Sequence, residues 1–144
     1  MAEATAGQIT AAVTALLEET LDCTVERGWK DDPPAVTTAY VLRGGDSGDT
    51  GVNLPVDVLA DIFKRVRVKV ILESPRQGET EEDALDLLRD AVRDVVRANP
   101  DLDCGEWIDL PADGMDEGCQ CVFVTRQGMT HPNSAREIVV SWRV

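Results

Sequence analysis

Apolar and charged residues alternate in the central part of the chain. Residues 65–72 read Arg-Val-Arg-Val-Lys-Val-Ile-Leu, which places valines on one side and Arg65, Arg67 and Lys69 on the other. A repeat of two residues is typical of a β-strand with one buried face. After a turn at residues 74–78, the apolar residues of 81–98 recur every three or four positions, which predicts an amphipathic helix. We expect this strand and this helix to pack on each other.

The remaining periodic segments complete one predicted domain spanning residues 1–144. A first helix is expected at 9–20, and further strands are expected at 22–29, 35–42, 105–110, 119–127 and 136–144. Residues 111–118 are rich in turn-forming and acidic residues and are expected to form a linker. The order of elements predicts an α+β two-layer domain, a mainly antiparallel sheet of about five to six strands with two helices packed on one face.

A glycine-rich acidic tract interrupts the pattern, and we expect a mobile loop over residues 43–61. Three interpretations stay open for it: a loop without a function, a loop that contacts a partner, and a metal site. The metal site fits least well, because Asp46 and Asp49 lack the alternating spacing and the closing glutamate of a calcium loop. The candidate partner contacts in this tract are Gly44, Gly45, Asp46, Gly48, Asp49 and Gly51.

The charge composition is strongly acidic, with 27 acidic residues against 14 basic ones and a formal net charge of −13. Such a surface does not favour binding to bare nucleic acid, because phosphate affinity comes from clusters of Lys and Arg. Abundant Asp and scarce Lys fit a protein from a salt-adapted host, although a GC-rich genome also favours Arg over Lys. No apolar run of about 18 residues and no secretory signal pattern occurs, so we expect no membrane span.

Residues that could support chemistry do not form a recognisable motif. The four cysteines lack metal-ligand spacing and are expected to act as small core residues, and His131 precedes a proline in a predicted exposed loop. Trp29, Trp107 and Trp142 lack the pattern of basic neighbours that is typical of proteins binding single-stranded nucleic acid, so we interpret them as core or subunit contacts rather than a stacking platform. We therefore predict no enzyme activity, no catalytic residues, no cofactor and no metal ion.

The basic residues of the central strand give it a local positive charge in an otherwise acidic chain. Arg65, Arg67 and Lys69 are three of only 14 basic residues. One interpretation is a solvated sheet face with acidic partners on neighbouring strands. The other is a basic face that docks on an acidic neighbour, such as another copy of the same chain, because complementary charge sets register and specificity.

Four segments, in order, resemble one protein family. These are the opening helix at 9–17, the Pro-Ala-Val-type strand at 34–42 followed by a long variable loop, the strand at 67–72 that runs into the helix headed by Glu-Thr-Glu-Glu-Asp at 79–83, and the final strand at 138–144. In this pattern the chain resembles the tail terminator proteins of long-tailed phages and related viruses, the lambda-type minor tail proteins. The resemblance covers nearly the whole chain but excludes residues 111–118 and the cysteines.

The resemblance implies a structural virion protein located at the tail–neck junction and assembled in the host cytoplasm. Such proteins form a hexameric ring that caps the head-proximal end of the tail tube. The implied partners are further copies of the chain, the tail tube protein and a neck or head-completion protein. DNA only passes through the lumen, and no membrane is involved. The loop after the strand at 34–42 would contact the tube.

Two alternatives of different class stay open at this point. One is another neck, tail-completion or tail tube component with a similar α+β fold. The other is a small intracellular binding or adaptor domain of a halophile. Oligomeric state separates the second alternative from the first and from a tail terminator, because only the virion proteins need to assemble.

Overall fold

The computed structural model describes residues 5–46, 65–100, 102 and 115–143. In this part of the chain, two helices and five strands follow in the order α1 (Ala6–Thr20), β1 (Thr24–Arg27), β2 (Thr38–Asp46), β3 (Arg65–Glu73), α2 (Glu79–Ala98), β4 (Met115–Val124) and β5 (Asn133–Arg143). The strands form one sheet in the order β1-β2-β3-β5-β4. β1 pairs with β2 in parallel, and the other three pairings are antiparallel. The predicted α+β two-layer domain is therefore confirmed.

Both helices pack on the same face of the sheet and enclose a single apolar core. Val66, Val68, Val70 and Leu72 of β3 are completely buried in it, as the alternation in the sequence predicts. α1 contributes Ile9, Val13 and Leu17, and α2 contributes Leu85, Val92 and Val96, with spacings of four or seven residues. The other core residues on the sheet are Ala39, Val41, Ile138, Val140 and Trp142.

The two helices begin in different ways. Thr5 forms a capping box with Gln8: the Gln8 backbone N–H donates to Thr5 Oγ1 at 3.1 Å, and the Thr5 N–H donates to Gln8 Oε1 at 2.8 Å. α2 begins after Gly78, which makes no side-chain cap, and its first turn carries three glutamates that the helix dipole stabilises. Both helices therefore begin earlier than the apolar periodicity alone indicates.

Several strand boundaries differ from the prediction. β1 ends at Arg27 because Gly28 turns the chain with a φ of +87° and donates its N–H to the Val41 carbonyl at 2.8 Å. β4 begins at Met115, within the predicted linker. It contains a bulge between Asp116 and Gly118, where Gly118 adopts a positive φ of +145°. β5 begins at Asn133, in a stretch predicted as a loop. The strand predicted at 105–110 and the first part of the linker lie outside the described residues.

Candidate assembly surface

The sheet face that points away from α1 and α2 is the candidate assembly surface, and we call it the outer face. On the three central strands it is formed by Tyr40, Leu42, Arg67, Lys69, Ile71, Glu73, Glu137, Val139 and Ser141. These residues alternate along each strand with the core residues, so the pleat directs them to the opposite side. Two of the three predicted basic contacts, Arg67 and Lys69, are partly buried side chains of this face.

Lys69 has an acidic partner across the sheet. Its Nζ lies 3.8 Å from Oε1 of Glu137, and the two side chains are 38% and 25% exposed. Gln120 of β4 also donates to Glu137 Oε1, at 3.5 Å. The interpretation of cross-strand acidic partners is thus correct for Lys69. A pair with this distance and exposure is worth about 0–1 kcal/mol, so it leaves Lys69 able to exchange partners.

Arg67 of β3 lies directly against Gly44 of β2. A Cβ atom added to Gly44 would lie 3.0 Å from the Cβ of Arg67 and 3.1 Å from its carbonyl carbon, so a side chain at position 44 would require Arg67 to move by a few tenths of an ångström. The register of β2 shifts here, between Arg43 and Asp46. Gly44 therefore allows two strands to pack at a bulge, which is a structural use of glycine.

The predicted loop at 43–61 begins too early, because its first four residues belong to β2. Strand pairing with β3 extends through Asp46, and the guanidinium of Arg43 packs over Gly7 of α1, where an added Cβ would lie 2.8 Å from Arg43 Nη2. Gly44, Gly45 and Asp46 are strand residues, and the backbone of Arg65 pairs with Arg143. Gly48, Asp49 and Gly51 lie outside the described residues, so their predicted contacts stay predictions.

At one end of the outer face lies a buried ion pair that the sequence does not reveal. Arg126, which follows β4, donates to both carboxylate oxygens of Glu73, and the Nη2–Oε1 distance is 2.7 Å. The two side chains are 2% and 0% exposed. Asn133 donates to Glu73 Oε2 at 2.7 Å, and a further guanidinium N–H of Arg126 donates to the Lys30 carbonyl. The hydrogen bond from Asn133 explains why β5 begins at a residue typical of loops.

Two aromatic rings enclose the guanidinium of Arg126. Its Cζ lies 4.3 Å from the ring centroid of Trp29 and 5.4 Å from that of Tyr40, and the two rings are 4.9 Å apart. The hydrogen bonds to Glu73 raise the pKa of Arg126, while burial raises the pKa of Tyr40. The sequence does not reveal this contact, because Arg126 reaches Trp29 from almost 100 positions later in the chain.

A second arginine attaches α2 to the sheet from the core side. The Nε–H of Arg136 in β5 donates to Asp86 Oδ1 at 2.9 Å. The same guanidinium also donates to the carboxylate of Glu82. Hydrogen bonds from Ser134 and Arg136 lower the pKa of Glu82. Two acidic residues of α2 therefore contact a buried cation of the sheet.

The other residues considered for chemistry are dispersed. His131 is exposed, Ser134 is buried beside α2, and Trp142 lies in the core. Cys23 and Cys119 pack against the core as predicted, and burial raises the pKa of Cys23, but Cys121 is exposed on β4. Within the described ranges, no three or more His, Cys, Asp or Glu residues cluster as metal ligands, and neither helix has the length and apolar character to cross a bilayer.

Comparison with known proteins adds no relationship. No protein-family model matches the chain, and a search of curated proteins finds no match. The features of the chain that bear on its function are therefore the fold, the outer face and the net charge of −13.

Proposed function

We propose that this chain is a structural virion protein of the tail terminator type, which assembles into a hexameric ring at the head-proximal end of a viral tail tube and joins it to the neck. The observation that carries the proposal is the arrangement of the segments on which the resemblance is based. The opening helix, the strand β2, the strand β3 that leads into α2, and the strand β5 follow in the implied order and belong to one sheet with both helices on one face.

The layered arrangement also supports an assembly function. Both described helices lie on one side of the sheet, and the outer face carries Arg67 and Lys69 among the aliphatic side chains Leu42, Ile71 and Val139. Subunit contacts combine an apolar centre with a polar rim, and the aliphatic side chains of the outer face could supply such a centre. A net charge of −13 further suits a ring through which DNA passes, since an acidic lumen repels phosphate.

The first test is the oligomeric state of the purified chain. At molar salt the repulsion between acidic copies is screened, so we expect a hexameric ring by multi-angle light scattering and a closed annulus by negative-stain electron microscopy. A chain that stays monomeric at every salt and protein concentration overturns the proposal and favours the adaptor alternative.

The shape of the assembly separates the related virion functions. A tube component makes contacts that continue into an open filament, whereas a terminator makes contacts that close. We therefore expect rings without filaments even at high protein concentration. Added to its own growing tail tubes, the ring is expected to fix their length. Filament formation by this chain alone would assign it to the tube instead.

A further inference from the structure

A cavity of about 390 Å³ lies at the end of the outer face where Arg126 is buried, and we call it the loop cavity. Its walls include Trp29, Asp31, Asp32, Pro33 and Arg126. The first four residues belong to the loop that follows β1, and Arg126 belongs to the segment that follows β4. The loop cavity therefore forms where two loops meet, outside the apolar core.

The loop that carries Trp29 is held in place by a buried side chain. Arg126 donates to the Lys30 carbonyl, and its Cζ lies 4.3 Å from the centroid of the Trp29 ring. A buried ion pair contributes little net stability compared with apolar residues of similar volume, so stability alone does not explain the pairing of Arg126 with Glu73. The pair holds an exposed loop in one position, and such positioning lowers the entropy that is lost when a ligand binds.

Two kinds of side chain along the loop cavity suit a cation. Trp29 is 39% exposed, so part of its indole ring is open to a ligand. Asp31 and Asp32 are exposed, and within the described ranges neither forms an ion pair. The face of an aromatic ring attracts a cation, and a planar guanidinium both stacks on such rings and pairs with carboxylates. Arg126 opposes such a ligand only weakly, because Glu73 neutralises it at 2.7 Å.

A second cavity, of about 340 Å³, adjoins the loop cavity, since Asp32 and Pro33 line both. It adds the opposite charges of Glu26 and Lys30, so the excess of negative charge in the loop cavity is kept. The two cavities lie along the same loop and together extend beyond the reach of one small ion. They therefore fit a side chain that belongs to a longer segment of protein.

We propose that the loop cavity binds an arginine side chain of a partner protein. The guanidinium lies against the exposed part of Trp29 and pairs with Asp31 and Asp32. The molecule already contains this combination once, because the guanidinium of Arg126 contacts aromatic rings and a carboxylate together. The net charge of −13 adds an attraction for a basic segment at longer range. Binding at this site does not require the ring, so the two can be tested separately.

Fluorine NMR of the full chain labelled with 5-fluorotryptophan tests this site. The probe is the capped tripeptide Gly-Arg-Gly, and the capped tripeptides Gly-Gln-Gly and Gly-Glu-Gly keep its length but change its charge. We expect the arginine peptide alone to shift the Trp29 signal, which Trp29→Phe assigns, until the signal saturates. The signal of Trp142, which is 0% exposed in the core, is the internal control and should not move. Added salt should weaken the binding, because exposed charges are screened.

Two matched pairs of substitutions separate a specific contact from the general charge of the chain. Asp31→Asn with Asp32→Asn removes two charges from the loop cavity, and we expect the arginine peptide to bind about tenfold more weakly. Glu18→Gln with Glu19→Gln removes two charges at exposed positions of α1, and the peptide affinity should change by less than about twofold. All four residues are exposed, so thermal unfolding of both variants should stay close to native.

Each contrary outcome overturns the arginine site. The site is wrong if the arginine peptide leaves the Trp29 signal unchanged, or if the glutamine or glutamate peptide shifts it equally. It is also wrong if the variant of Asp31 and Asp32 binds the peptide like the native chain. If the α1 variant loses affinity to the same extent, the attraction is due to general charge, which again overturns the site. None of these results affects ring formation, whereas a chain that binds the peptide and never forms rings contradicts only the proposed function.

Discussion

Two ion pairs on the same face of the sheet have opposite characters. Glu73 and Arg126 are 0% and 2% exposed, with oxygen and nitrogen 2.7 Å apart, and hydrogen bonds and aromatic rings surround them. Lys69 and Glu137 are 38% and 25% exposed and 3.8 Å apart. Both pairs bridge residues distant in the sequence, yet only the first is closed to water. Arg126 therefore has a fixed partner in Glu73, whereas Lys69 can exchange its partner Glu137 for another acid.

This comparison divides the outer face into a structural end and an available region. At the structural end, Glu73 and Arg126 are shielded from water, so each charge depends on its partner. Loss of one partner would leave an unpaired buried charge, which is strongly destabilising. In the available region, water replaces a lost partner at little cost, so Lys69 can form a new contact without loss of the fold. The position of a charge relative to solvent therefore indicates whether it serves folding or assembly.

The largest effect is expected for Arg126→Ala. This change leaves the carboxylate of Glu73 buried without its cation and removes the contact with Trp29, so we expect the free energy of unfolding to fall by about 3–5 kcal/mol. Urea denaturation monitored by circular dichroism measures it. A replacement of both partners, Glu73→Leu with Arg126→Met, should recover part of the loss because no charge is left buried. A loss below about 1 kcal/mol for Arg126→Ala would remove the distinction between the two pairs.

An intermediate effect is expected at Glu82, which is more exposed than Glu73 but is bound by the buried Arg136. The pKa of Glu82 is lowered in the folded chain, so this contact contributes stability above the unfolded pKa, which is near 4.5, and loses it as the pH falls through the folded pKa. Glu82→Gln should therefore lower stability at neutral pH and flatten its decline below about pH 4.5. Thermal unfolding across this pH range measures both effects. An unchanged slope would show that the contact is unimportant.

The smallest effect on stability is expected for Lys69→Ala. The loss should lie within about 0–1 kcal/mol at low salt and disappear at molar salt, because exposed ion pairs are weak and screened. The same urea denaturation measures it beside Arg126→Ala. If Lys69→Ala destabilised the isolated chain as much as Arg126→Ala does, Lys69 would be a structural residue rather than an available one.

The elements that depend on local periodicity could be predicted from the sequence. The alternation at 65–72 identified β3 and its buried side, and the spacing of apolar residues identified both helices, because these patterns arise from one strand or one helix alone. The same pattern does not reveal the burial of Glu73, which continues the side of β3 that carries Arg67 and Lys69 and yet is fully buried. Its burial depends on Arg126 and Asn133, more than 50 residues away, and no local pattern contains that information.

Glycines were the second source of error. The run that begins at Gly44 was interpreted as flexible, because glycine-rich acidic segments are typical of loops. In the fold, Gly44 has the opposite property, since it packs tightly against Arg67 and a side chain there would force Arg67 to move. Gly118 likewise extends β4 through a bulge rather than ending it. A sequence shows that a glycine is present but not whether its neighbours are near or far.

The place of β5 in the sheet has a consequence for how the chain acquires its fold. β5 is the last strand among the described residues, yet it lies between β3 and β4 and pairs with both. Among the described strands, β3 therefore lacks a partner on one edge and β4 lacks any partner until β5 is synthesised. Folding therefore waits for contacts that span much of the chain, which slows the reaction and leaves strand edges exposed in the meantime. A nascent chain that stalls before residue 133 is expected to be a substrate for chaperones or aggregation.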